Sequence, residues 1–168
     1  MNKVLILTHD TYEDLELWYP RIRLEEAHIE TVVAGPEKHK TYNGKHGYPC
    51  RSDIAINEVN AKNYSGLLIP GGYAPDKLRR DPKVLELVNE FHKDKKPIAF
   101  ICHAGWVLIS AKILRNKRVT SVAAIKDDII NAGAQFLDEP LVIDENLISS
   151  RTPKDLPVFA KALVEMIG

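Results

Sequence analysis

Strand-like and helical segments alternate along this chain, and that alternation predicts an α/β fold: a doubly wound, mostly parallel sheet with helices on both faces. Three observations carry the prediction. Five short runs are strand-like: Val4-Leu5-Ile6-Leu7, Thr31-Val32-Val33-Ala34, Gly66-Leu67-Leu68-Ile69, Ile98-Ala99-Phe100-Ile101 and Leu141-Val142-Ile143. Several are apolar on both faces, as strands covered on both sides must be. Between them, Val84, Leu87, Val88 and Phe91 keep the helical i, i+3, i+4, i+7 spacing.

Taken in order, the segments also carry their own punctuation. The helix through Leu15, Trp18 and Ile22 contains Pro20, which is expected to kink or split it. Thr41 to Asp53 reads as a hairpin. Asp81-Pro82 is an N-cap followed by proline at the first helical position, and it starts the helix that ends near Phe91. A second hairpin spans Leu141 to Ser150, turning at Asp144-Glu145-Asn146. The last helix is expected to open at Thr152-Pro153 and to bury Leu156, Phe159, Leu163 and Ile167, with Pro157 tolerated in its first turn. No repeat or linker interrupts this order, so residues 1–168 are expected to form a single domain with right-handed crossovers.

Composition excludes whole classes of partner. The chain has 168 residues, 23 Lys plus Arg and 23 Asp plus Glu, so its formal net charge is zero. Such a chain has no broad field to attract nucleic acid or an anionic membrane surface. No run approaches the about 18 apolar residues of a membrane span. Met1-Asn2-Lys3 leads straight into a strand with no cleavage site behind it, and two cysteines are too few for a disulfide scaffold. A reducing cytoplasm is the expected compartment. The six histidines fall at no metal-ligand spacing, and no glycine pattern marks a nucleotide site, so neither metal nor cofactor is expected.

In a parallel sheet the working residues lie beyond the carboxyl ends of the strands. Three such loops stand out: Thr8 to Asp14, Pro70 to Asp76, and Cys102-His103-Ala104-Gly105 ahead of the apolar helix Trp106-Val107-Leu108-Ile109. Cys102 thus occupies a strand-to-helix turn with small residues behind it. That is the layout of a nucleophile elbow, where the turn lifts the side chain and the next backbone N–H faces a developing oxyanion. The helix start beyond it favours a thiolate below the free value of about 8.5. The competing reading is a small buried core residue, and the flanking Phe100 and Ile101 favour it. Cys50, with only Arg51 as a basic neighbour, reads as structural or incidental.

The segments Tyr12-Glu13-Asp14-Leu15-Glu16, Gly44-Lys45-His46-Gly47, Pro70-Gly71-Gly72-Tyr73-Ala74-Pro75-Asp76-Lys77-Leu78-Arg79, Ile101-Cys102-His103, Ile125-Lys126-Asp127-Asp128 with Asn131-Ala132-Gly133, and Ile148-Ser149-Ser150-Arg151 resemble the ThiJ/PfpI family. The likeness runs from Val4 to about Leu163 and is strongest to the PfpI branch. It implies a flavodoxin-like fold of the class I glutamine amidotransferase type, without cofactor. It also implies the branch's activities, intracellular cysteine peptidase with glyoxalase III or deglycase relatives. By the same resemblance Cys102 is the nucleophile and His103 its acid/base partner. Glu13 is the carboxyl group that hydrogen-bonds the sulfur, and Gly72 with the His103 backbone supplies oxyanion donors. Asp76 matches an acid that orients the histidine across a subunit boundary, so a homo-oligomer, dimer or higher, is expected. Each role has a plainer counterpart: Glu13 as a first-turn carboxylate, Gly72 as a turn glycine, Asp76 as an N-cap, and Trp18 and Tyr19 as core rather than interface.

Departures from the family pattern bear on substrate. Ala104-Gly105 stands where relatives carry Gly-Pro, and Ser121-Val122-Ala123-Ala124 lacks a tyrosine found before Ile-Lys-Asp-Asp in relatives. Asp76 is one methylene shorter than the glutamate of some members. These changes weigh against peptidase activity more than against thiol chemistry. The expected reaction is attack of Cys102 on a small reactive carbonyl such as methylglyoxal or its adducts. The alternatives are a peptidase acting on peptides, and a redox-sensing or chaperone-like stress protein using Cys102.

Overall fold

The computed structural model describes residues 2–168; Met1, counted in the expected 1–168 domain, lies outside them. In chain order the strands are β1 Lys3–Leu7, β2 Glu30–Gly35, β3 Thr41–Asn43, β4 Pro49–Arg51, β5 Ile54–Ala55, β6 Gly66–Ile69, β7 Ile98–Ile101, β8 Arg118–Val119, β9 Gln135–Phe136, β10 Val142–Asp144 and β11 Leu147–Ser150. The helices are α1 Asp14–Glu26, α2 Ala74–Leu78, α3 Pro82–Lys93, α4 Gly105–Ser110, α5 Lys126–Asn131 and α6 Leu156–Ile167. Seven strands form the main sheet in the order β10-β11-β7-β6-β1-β2-β5. Every pairing in it is parallel except β10 against β11.

From β1 the chain steps one way to β2 and β5, and then the other way through β6 and β7 to β11. Right-handed crossovers in opposite directions put α1 and α3 on opposite faces. α1 packs against α6, while α3 packs on β6 and β7 and against α4. Covered on both sides, β6 and β7 are buried at every residue, which is why their sequences show no alternation. The strand order reverses between β1 and β6, so the crevice above their carboxyl ends is the natural ligand position.

Both expected hairpins form, with β3 against β4 and β10 against β11, the latter turning through Glu145 at φ 52°. Asp81 caps α3 through its side chain and Pro82 is the first helical residue. The last helix departs slightly from expectation: Pro153–Asp155 form a 3-10 turn and α6 proper begins at Leu156. The larger correction concerns α1, which runs unbroken through Pro20. Its buried stripe is Glu16, Leu17, Pro20 and Leu24, while Leu15 and Ile22 are exposed. A mid-helix proline costs about 3 kcal/mol, and burying Leu17 and Leu24 returns about 1.5–3 kcal/mol each. Packing therefore outweighs the lost hydrogen bond. No helix among the described residues is long and apolar enough to cross a membrane.

Candidate active site

Backbone pairing draws the three loops together above β1, β6 and β7. Tyr12 and Gly72 form an isolated antiparallel bridge. Glu13 N–H donates to Gly71 O at 3.0 Å and Tyr73 N–H to Thr11 O at 2.9 Å. Gly72 has φ +79°, and a Cβ there would lie 2.5 Å from Glu13 N and 2.6 Å from Thr11 O. Glycine is thus required both by conformation and by space. At Gly71 an added Cβ would strike Glu16 Oε2 and lie 2.7 Å from Cys102 Cβ.

Cys102 begins a 3-10 turn of Cys102–Ala104 directly after β7, and its φ is +61°. A cysteine gains nothing from the left-handed region, which costs roughly 1–2 kcal/mol for a residue with a Cβ. Strain of this kind persists where surrounding structure enforces it, and it marks functional turns. The turn is what lets adjacent side chains meet: Cys102 Sγ lies 3.3 Å from His103 Nδ1. Regular secondary structure would point them apart. The backbone N–H groups of His103 and Gly72 pull the thiol pKa down. Burial, followed by the charge of an ionised Glu16, pushes it the other way, to about 12.

Glu16 is fully buried, and its Oε2 accepts the Gly71 N–H at 2.8 Å. The Cys102 side chain is its neighbour across Gly71, and Oε1 is buried without a hydrogen-bond partner. Burial first and the neighbouring Glu13 second push its pKa up to about 8, so the carboxyl keeps its proton at neutral pH. Protonation removes the charge that opposes a Cys102 thiolate and leaves an O–H able to donate to it. Burial and then Lys45 lower the His103 pKa, so the imidazole is neutral and Nδ1 can accept the thiol proton.

A model of the DJ-1/PfpI family matches residues 2–166 of this sequence. The chain belongs to the DJ-1/PfpI family. It is 43% identical over 165 residues to a deglycase of Pyrococcus abyssi, covering 98% of this chain and 99% of that protein. Deglycase PfpI of Pyrococcus furiosus is 39% identical over the same coverage, 98% and 99%. The Bacillus subtilis protein YraA, named as a candidate cysteine protease, is 39% identical over 99% of this chain and 98% of its own. Among solved structures, a two-domain protein of Anabaena variabilis with DJ-1/ThiJ/PfpI-like and ferritin-like domains superposes with a TM-score of 0.97 at 41% identity. The match covers 98% of this chain and 48% of that one. Schizosaccharomyces pombe DJ-1 superposes with a TM-score of 0.91 at 26% identity, over 99% and 92% of the two chains. The flavodoxin-like, mostly parallel sheet is the fold of these DJ-1/PfpI neighbours.

Within this DJ-1/PfpI frame, two of the sequence-predicted residues sit elsewhere than expected. The carboxyl group on the Cys102 sulfur is that of Glu16, not Glu13. Glu13 is the α1 N-cap: its Oε2 accepts the Glu16 N–H at 3.0 Å and its Oε1 lies 3.6 Å from His46 Nε2. An N-cap residue turns its side chain back onto the first turn, so only the acid one turn further reaches the sheet edge. Asp76 lies inside α2 rather than capping it, is half-exposed, and pairs with Arg80 of the same chain. Within one chain it does not meet His103. Val122, in the position without the phenol, lies beside the elbow, its N–H donating to Cys102 O at 3.4 Å. Trp18 and Tyr19 are half-buried and pack on the core.

Two features come from contacts between segments 12–16 and 44–47, which no local spacing encodes. Glu13, Asp14 and His46 bring ligand-type atoms within 4.8 Å of one another, although His46 lies 32 residues beyond Asp14 in the chain. Both Asp14 oxygens are already engaged, accepting the His46 and Tyr48 N–H groups at 2.9 Å each. That employment clamps the β3–β4 hairpin onto α1. The same clamp places Lys45 within electrostatic reach of the site, where its charge lowers the pKa of Glu16, Cys102 and His103.

Proposed function

We propose that this chain is a cofactor-independent cysteine enzyme that converts small reactive carbonyls, methylglyoxal or its adducts on amines and thiols, to hydroxy acids. The observation that carries the reading is Cys102 itself, strained to φ +61° with His103 Nδ1 3.3 Å from its sulfur and a buried acid against it. The deglycase names of relatives near 40% identity support the substrate class. Cys102 attacks the aldehyde carbon of methylglyoxal and forms a C–S bond, while His103 Nδ1 takes the thiol proton and passes it to the former carbonyl oxygen. The product is a hemithioacetal. Its C1 proton then moves to C2 through an enediol, with Glu16 and His103 as the groups able to carry it, leaving a lactoyl thioester. Water cleaves the C–S bond and releases lactate and the thiol. Atoms balance as methylglyoxal plus water, with no external oxidant. Backbone N–H groups of Gly72 and His103 stabilise the oxyanions, as in acyl transfer generally.

Several further features belong to the same reading. It treats residues 1–168 as one cytoplasmic domain that works as an oligomer, with Asp76 of a second copy reaching His103. Asp76→Ala mixed with Cys102→Ala then recovers partial activity, and a fully active monomer contradicts the shared site. A second reading, peptidase through an acyl-thioester, is supported by the name of the Bacillus relative. Purified protein assayed against methylglyoxal and short peptides, each beside Cys102→Ser, tests both readings. Cys102-dependent lactate formation supports the first and Cys102-dependent peptide cleavage the second. Cysteine oxidation by peroxide without turnover of either overturns both.

A further inference from the structure

We infer that Trp106 is a positioning residue that fixes the His103 imidazole against Cys102. The inference rests on the proposed roles of those two residues. A histidine that serves a nucleophile needs a third group to hold its ring, and that group is usually a carboxylate. Among the described residues the one histidine within salt-bridge range of a carboxylate is His46, so His103 has no such holder within its own chain. Its ring packs instead on Trp106, centroid to centroid 5.1 Å at an interplanar angle of 59°. That separation lies in the range of productive aromatic pairs. The contact follows from spacing, because residues three apart share one side of a helical turn and Cys102–Ala104 runs directly into α4.

Trp106 is anchored in turn, which separates a holder from a bystander. Its Nε1–H donates to Asp128 Oδ2 at 2.9 Å, tying the indole to α5. The Arg79 guanidinium lies 5.5 Å from the indole centroid, within cation–π range, and its own Nε–H donates to Ser110 Oγ at 2.9 Å. Groups from the end of α2, from α4 and from α5 therefore fix one indole, and the indole fixes the imidazole. The linkage runs Asp128 to Trp106 to His103 to Cys102. Its outer member is exposed and lies 26 residues from the nucleophile.

The test compares Trp106→Ala, Trp106→Phe and Asp128→Ala with the unmodified chain, reading kcat and KM for the carbonyl substrate and the imidazole 15N signals of His103. Trp106→Ala is expected to lower kcat about 10- to 100-fold, the cost of a misplaced catalytic group, with KM within about twofold and the His103 signals shifted. Trp106→Phe keeps an aromatic face and is expected to restore most of kcat, with Asp128→Ala between the two. Asp128 is exposed, so its variant gives the readout even if Trp106→Ala does not fold. A kcat within twofold of the unmodified chain in Trp106→Ala or, failing that, in Asp128→Ala, with unchanged His103 signals, overturns the inference. Phe no better than Ala also overturns it. His103→Ala separates the two levels: if it leaves Cys102 reactivity and kcat intact, the proposed function fails; if it is slow while the Trp106 variants are not, only this inference fails.

Discussion

Cys50 and Cys102 are both free and both buried, but they sit in opposite kinds of backbone. Cys50 lies in β4, an extended hairpin strand, with the Arg21 guanidinium 4.0 Å from its sulfur. Burial pushes its thiol up to about 11. Cys102 is pushed up further, to about 12, by burial and then by Glu16, yet it stands on a left-handed turn with an imidazole nitrogen, two backbone N–H groups and a protonated carboxyl around its sulfur. It is also 9% exposed, against 1% for Cys50. Burial alone therefore does not distinguish a reactive thiol from a structural one. The distinction lies in what can take the proton and what can stabilise the charge left behind.

The largest effect expected from breaking this contrast is chemical. Cys102→Ser should lower carbonyl turnover at least about 1,000-fold, whereas Cys50→Ser should leave kcat within about twofold. Lactate formation by the two variants checks it. Next comes the backbone that shapes the elbow. Gly72→Ala places a Cβ against Glu13 N and Thr11 O at positive φ, and should cost about 1–3 kcal/mol in urea unfolding while also depressing turnover.

The third prediction concerns pH. Folded Glu16 holds its proton up to about 8, whereas an unfolded glutamate releases it near 4.5. Across that window the folded state binds the extra proton, so stability falls as pH rises, with a slope approaching about 1.4 kcal/mol per pH unit for one proton. Glu16→Gln should remove this part of the slope and Glu13→Gln should not, as denaturant midpoints measured from pH 5 to 8 will tell. Glu16→Gln keeps a donor beside the sulfur and should alkylate at Cys102 faster than Glu16→Leu. The smallest effect is at Asp76. Its ion pair with Arg80 is exposed, so Asp76→Ala should change stability by less than about 0.5 kcal/mol. Any larger loss in turnover then belongs to contact with a second copy.

How far the sequence foretold this site depends on the range of each interaction. Doubly apolar strands, the Asp81-Pro82 helix start and both hairpins are written in neighbouring residues, and they were legible. So were the convergence of the three loops and the turn at Cys102, since both follow from a parallel sheet. The face of α1 was not. Its apolar pattern suggests a core stripe of Leu15, Trp18 and Ile22, but the sheet buries Leu17 and Leu24 with Glu16 between the loops. Glu13 and Glu16 are one turn apart, and the choice between them rests on the capping geometry at Glu13. A leucine exposed at 15 beside a glutamate buried at 16 inverts the usual pattern, and such an inversion is itself a signal of a functional acid. Asp14 gripping His46 and Tyr48, and Trp106 meeting Asp128, are long-range contacts that no local spacing encodes.

The central claim is that surroundings, and not burial, make Cys102 the reactive thiol. Brief exposure of the native protein to iodoacetamide at neutral pH, followed by mass mapping of both cysteines, tests it most directly. The account predicts labelling of Cys102 at least about tenfold faster than Cys50, and slower labelling of Cys102 once His103 is replaced by alanine. Equal labelling of the two cysteines, or labelling of Cys50 first, would contradict it.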